Sequence, residues 1–291
     1  MFKGSIVALV TPMHSNGEID WDALVKLLDW HIESGTDAIV IAGTTGESAV
    51  LDEAEYQALL ETSIAHIAGR CRLIAGCGSP ATAFTIKKVQ LAKKLGACAA
   101  LVVTPYYNRP EQSGLVAHYR AISDVCDLPL VLYNVPTRTA VDLHIDSIAR
   151  LYRRDNIVAL KEANAAPGRM TKLVSRFGAE LDILSGDDAT AIESLFAGAV
   201  GVISVVNNVA PRPFAQMVAL ALNGDRQQAL AINSSFGPLY SALELRTNPI
   251  PVKWALHKLG KIGVGIRLPL LALDISAQNE LEEALQTLTT L

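Results

Sequence analysis

The chain has 291 residues, half of them hydrophobic and 19% charged, with a net charge of −4 at pH 7. That length and apolar content suit one large α/β domain better than two independent cores. The acidic balance, with no basic stripe or charge block, argues against nucleic acid and anionic membrane partners but leaves a small anionic substrate open.

In chain order, Lys3 precedes an apolar run of only Ile6 to Val10, too short for a signal-peptide core. A first strand is expected over Ser5–Val10. Asp20 then offers an N-cap to a helix with Trp21, Leu24, Val25, Leu28 and Ile32 on one stripe, and Gly35 ends it. The second strand, Ala38–Ala42, runs into Gly43-Thr44-Thr45-Gly46-Glu47. The paired glycines there let backbone N–H groups approach an anion and the hydroxyls add donors, or the stretch is simply a tight turn. Leu51, Asp52 and Glu55 read as a hydrophobic staple and capping box for the next helix.

Strand three, Arg72–Ala75, leads into Gly76-Cys77-Gly78-Ser79-Pro80-Ala81, which matches a dinucleotide fingerprint. About 20 residues on, where that fingerprint needs a ribose-binding acid, the chain reads Cys98-Ala99-Ala100-Leu101 instead, so nucleotide binding is disfavoured. Strand four, Ala99–Val103, is followed by Tyr106, Tyr107 and Arg109. Strand five, Leu130–Tyr133, continues into Asn134, Pro136 and Arg138. Strand six, Val158–Lys161, ends on an amine. Strand seven, Leu181–Leu184, gives way to Ser185-Gly186-Asp187-Asp188, where the two acids read as an N-cap and a first-turn carboxylate. Strand eight, Gly201–Val205, brings Ser204 and Asn207 to its end. The run Ala197–Val206 is too short to span a bilayer. Beyond about Asn223 the strand signal stops, and helices are expected over Gln227–Leu245, Val252–Leu259 and Glu280–Leu291.

Eight apolar strands separated by helices call for a parallel sheet covered on both faces. A (β/α)8 TIM barrel over residues 1–224 with a C-terminal helical extension over 225–291 is the first choice, and a doubly wound open sheet the second. In a barrel the strand C-terminal ends share one face, and polar groups from six strands would converge there. Lys161 could snorkel to water from its strand end. At the mouth of an apolar barrel it would instead lose hydration, and its neutral nucleophilic form would become accessible. Tyr133 could then shuttle protons, and the Arg138 fork suits a carboxylate. The four cysteines form no C-x-x-C pair and read as reduced thiols of a soluble, cytoplasmic protein. The six histidines lack metal-ligand spacing, so no metal is expected.

The motifs GTTGE, TPYYNRP, YNVPTRT, KEA and SGDDA, in this order and spacing, resemble the dihydrodipicolinate synthase family, as does NPIPVKWA at 248–255. The similarity runs from about Gly4 to Leu270. It implies condensation of pyruvate with L-aspartate 4-semialdehyde, towards diaminopimelate and lysine, by a homo-oligomer arranged as a dimer of dimers. It implies that Lys161 forms the Schiff base, that Tyr133 exchanges protons, and that Thr44 links Tyr133 to Tyr107 from a neighbouring subunit. It further implies that Thr45 holds the pyruvate carboxylate, that the Ile203 main chain also faces pyruvate, that Gly186 binds substrate, that Arg138 receives the semialdehyde carboxylate, and that no organic cofactor is needed. Family members inhibited by lysine line an inter-subunit pocket with polar groups. Ser48, Ala49 and Tyr106 fit that lining, but Glu53, Tyr56, Pro80 and Phe84 do not, so weak or absent inhibition by L-lysine is expected. The rival readings are a pyruvate lyase acting on N-acetylneuraminate or a keto-deoxy sugar acid, and a non-catalytic barrel scaffold.

Overall fold

A computed structural model describes residues 2–288. Eight parallel strands close into a barrel in sequence order: β1 Gly4–Ala8, β2 Ala38–Ile41, β3 Arg72–Gly76, β4 Ala99–Val103, β5 Leu130–Asn134, β6 Ile157–Glu162, β7 Asp182–Ser185 and β8 Gly201–Ser204. The first and last strands pair directly, Gly4 with Gly201 and Ser5 with Val202. The expected strands are all present, with ends displaced by a residue or two.

Alternation along each strand divides the apolar residues into two layers. Ile6, Ala8, Ala38, Val40, Ile74, Val131, Ala159, Leu184 and Ile203 fill the barrel interior. Val7, Ile39, Ile41, Leu73, Val102, Leu132, Leu160, Ile183 and Val202 face outward into the layer shared with the helices. Both layers are buried, which is why the strands read as unbroken apolar runs. Gly76 is required by close approach: a Cβ there would lie 2.1 Å from the Ala42 carbonyl oxygen. The nucleotide-like glycines therefore serve strand packing.

The surrounding helices are α1 Trp21–Glu33, α2 Glu53–Ile67, α3 Thr82–Leu95, α4 Gln112–Val125, the single turns α5 Pro136–Thr139 and α6 Ile145–Ile148, then α7 Arg169–Phe177, α8 Ala191–Phe196 and α9 Pro211–Leu222. Asp20 caps α1 by accepting from Ala23 N, and Asp52 with Glu55 forms the expected capping box on α2. Beyond the barrel follow α10 Arg226–Ser235, α11 Gly237–Leu243, α12 Ile250–Lys258 and α13 Ile275–Leu288. The continuous helix expected over Gln227–Leu245 is two helices. Pro238 has no N–H to continue the ladder and sits instead in the first turn of α11. The last helix begins at Ile275 rather than Glu280, because Asp274 accepts from Ala277 N at 3.3 Å. Its expected final residues, 289–291, lie outside the described residues. Among the described residues no helix is long and apolar enough to cross a membrane.

Candidate active site

A cavity of about 880 Å³ opens at the C-terminal ends of the strands. Its inner wall comprises Ala8, Val40, Thr44, Thr45, Leu101, Tyr133 and Lys161, and its outer wall is built by Tyr240 and the segment Leu243–Asn248. The C-terminal helices thus supply part of the site.

Lys161 occupies the penultimate position of β6 and points inward, with only 5% of its surface exposed. Burial pulls its amine down to about 8; Asp188 raises it and Arg138 adds to the depression. The ammonium nitrogen lies 4.3 Å from the centroid of the Tyr133 ring, whose residue is its register partner on β5. Burial pushes the Tyr133 phenol up to about 12, while the Arg138 guanidinium and a hydrogen bond with Thr44 pull the other way. Gly186 presses its backbone on the lysine stem, and a Cβ there would sit 2.7 Å from Lys161 Cε. Any side chain at 186 would displace the amine.

Thr45 is buried and its Oγ1 accepts from Asn248 Nδ2 at 2.9 Å. Arg138, on α5, donates from Nη2 to the Asn248 carbonyl at 3.3 Å. One residue therefore bridges the hydroxyl of the β2 loop and the guanidinium of the β5 loop. The stretch NPIPVKWA contains Asn248 but gives it no place by its own spacing, because the bridge spans 203 positions.

Two expectations are corrected. Asp188 is not a first-turn helix acid: its Oδ2 accepts from Val205 N and Val206 N, both at 2.9 Å, and so holds the exit of β8 against β7. Asp187 is the residue that accepts from Thr190, two hydrogen bonds at 3.0 and 2.6 Å. Ser204 and Asn207 do not line the cavity; Ser204 Oγ accepts from Asn207 N, and Asn207 Nδ2 donates to Ser5 Oγ. They are structural because they stitch β8 to β1.

Glu47, the last residue of the β2 loop motif, is buried and paired with buried Lys253 of α12. Its second oxygen accepts from Arg267 N at 3.1 Å. The Arg267 side chain donates to Gly17 O and Val50 O, both at 2.8 Å, and pairs with Glu55. This strap anchors the loop that presents Thr44 and Thr45.

The cavity gathers Lys161, Tyr133, Thr44, Thr45, Arg138 and Gly186. It does not gather Ile203, which packs in the interior layer, or Tyr107, which is 94% exposed on the loop after β4. Among the described residues no group of three or more His, Cys, Asp or Glu side chains could hold a metal ion.

A dehydrated amine at the mouth of a closed barrel, beside a phenol and hydroxyls, can add to a carbonyl while nearby groups exchange protons. Fold and site together define a TIM-barrel lyase of the class I aldolase type. The sequence signature of the dihydrodipicolinate synthetase family matches residues 1–288, and the chain belongs to that family. It is 48% identical over 286 residues to the 4-hydroxy-tetrahydrodipicolinate synthase of Saccharophagus degradans, covering 98% of each chain. Among solved structures it resembles the chloride-inhibited dihydrodipicolinate synthase of Acinetobacter baumannii complexed with pyruvate, at 45% identity and a TM-score of 0.98 over 100% of both chains. The dihydrodipicolinate synthase of Aquifex aeolicus is 41% identical, with a TM-score of 0.96 over 99% of this chain and 98% of that one.

Proposed function

We propose that this chain condenses pyruvate with L-aspartate 4-semialdehyde to give 4-hydroxy-tetrahydrodipicolinate in the cytoplasm, on the route to diaminopimelate and lysine. The single observation that carries this reading is the buried Lys161 amine, held at about 8 with the Tyr133 ring 4.3 Å away.

The neutral Lys161 amine adds to the pyruvate ketone, and loss of water gives an iminium ion. That cation draws electrons from the adjacent methyl group, which loses a proton to give an enamine. The enamine carbon attacks the aldehyde, whose oxygen takes a proton. The amine of the second substrate then adds to the imine carbon, closes the ring and releases Lys161. Tyr133 and Thr44 exchange the protons. Thr45 holds the pyruvate carboxylate, Gly186 lines the substrate site beside Lys161, and Arg138 takes the semialdehyde carboxylate.

Tyr107 completes the relay from a second copy of the chain. Its 94% exposure and its distance from its own cavity suit a residue that works in a neighbour, within a homo-oligomer arranged as a dimer of dimers. Within the extension placed at residues 225–291, Tyr240 and the segment Leu243–Asn248 close the outer wall of the barrel site.

Inhibition by L-lysine is weak or absent. Tyr56 is buried with its hydroxyl on Cys77 Sγ at 3.3 Å, and Lys88 already places its ammonium 4.7 Å from the Tyr56 ring centroid. Lys87 does the same over Phe84 at 5.6 Å. A free lysine would meet two resident cations.

Borohydride reduction in the presence of pyruvate tests the reading. A stable adduct on Lys161, together with turnover of L-aspartate 4-semialdehyde, supports it. Absence of the adduct, or turnover confined to N-acetylneuraminate, would sink it.

A further inference from the structure

Behind the catalytic pair lies a second pair. The ladder between β5 and β6 sets Tyr133 opposite Lys161 and Asn134 opposite Glu162. Strand alternation turns the first pair to the cavity and the second outward. Asn134 Nδ2 donates to Glu162 Oε1 at 2.9 Å and to Asp142 Oδ1 at 2.7 Å, while its Oδ1 accepts from Leu143 N at 2.9 Å. Arg169, the first residue of α7, spreads its fork over the same group. Nε donates to Glu162 Oε2 at 2.8 Å, Nη1 to Asp142 Oδ2 at 3.1 Å and Nη2 to Leu143 O at 2.7 Å. Gln112 holds the outer side, donating to Asp142 O at 2.7 Å and accepting from His144 N at 3.0 Å.

These bonds close the segment from Asn134 to Leu143 into a loop, and Arg138 rides on it. The two site elements are held differently. Lys161 and Tyr133 are fixed by main-chain ladders on rigid strands. Arg138 sits on a single helical turn, which returns to the barrel at Asp142 and Leu143. Arg169 is largely enclosed there, with 10% of its side chain exposed, and its planar fork meets three acceptors at once.

Resting on the reaction proposed above, we infer that Arg169 is a positioning residue for the second substrate: by clamping Asp142 and Leu143 to Glu162, it sets the pose in which Arg138 meets the carboxylate of the aldehyde. Arg169 touches neither substrate. Its removal separates the two halves of the reaction, leaving imine formation at Lys161 and weakening capture of the aldehyde.

The test measures both halves on the full chain, by borohydride trapping with pyruvate and by steady-state kinetics with the semialdehyde. Arg169→Ala is expected to raise the aldehyde KM at least tenfold while trapping stays within threefold of the parent. Arg169→Lys should not restore the KM, because one ammonium cannot span three acceptors, whereas guanidinium ion added to Arg169→Ala should restore part of it. Arg169→Ala strands a buried carboxylate, so Asp142→Ala is the second variant: it removes the side-chain acceptor of the two loop-side groups that Arg169 holds, leaves the Glu162 pair intact, and decides the matter alone if the first variant does not fold. An aldehyde KM within twofold of the parent, or trapping and condensation that fall in step, overturns the proposal. Absence of trapping in the parent overturns the reaction assignment itself, whereas normal trapping with an unchanged KM overturns only the role of Arg169.

Discussion

Lys161 and Tyr133 are register partners on neighbouring strands, so the phenol ring and the amine face each other across one rung of the β5–β6 ladder. Tyr133→Phe keeps the ring against the amine and removes only the hydroxyl. Condensation is expected to fall about 10²- to 10⁴-fold, the range for loss of a positioned proton-transfer group. The thermal midpoint should stay close to the parent's. Parental kcat in this variant would remove Tyr133 from the proton path.

The lysine amine supplies a pH dependence of fixed sign. Its value of about 8 lies below the ordinary 10.5, so about a tenth of it is neutral at pH 7. Imine formation should rise about tenfold per pH unit below 8 and level off above it. Borohydride trapping rates between pH 6 and 11 read this directly. A rise that continues past pH 10 would show that the amine is not dehydrated in solution. Lys161→Ala should give no adduct at any pH.

The Glu47–Lys253 pair is buried on both sides. Lys253→Met leaves a buried carboxylate unpaired and should destabilise the chain by about 3–5 kcal/mol. Replacing both partners, as Glu47→Gln with Lys253→Met, should recover part of that loss. Urea unfolding of the two single variants and the double variant measures the coupling, and additive effects would show that the pair does not act as a unit.

Tyr107 gives a prediction about assembly. With its side chain exposed in the single chain, Tyr107→Phe should lower turnover without changing the unfolding midpoint. Specific activity should also fall where dilution, followed by sedimentation, separates the copies. Full activity from isolated single chains would show that each site works alone.

Much of this molecule was legible in its sequence because a two-faced buried strand leaves a plain record. Runs such as Ala99–Val103 are apolar throughout, and Lys161 stands out as a charge near the end of β6. Caps at Asp20 and Asp52 were legible because they depend on neighbours three positions away. What escaped depends on partners remote in the chain. Asp188 looked like a local helix acid, yet its partners are the Val205 and Val206 amides on the next strand's exit. Glu47 looked like part of an anion-binding turn, yet it answers a lysine 206 positions away. Asn248 has no local signature at all, since its contacts to Thr45 and Arg138 arise only once the C-terminal helices fold back over the strand ends.

The strap of Asn248, Lys253 and Arg267 has a consequence for biosynthesis. A ribosome delivers all eight strands before these three residues emerge, so a nascent chain can possess its nucleophile while the loop bearing Thr44 and Thr45 is still unsecured. The anchoring of that loop is in this way completed only once the C-terminal helices are present.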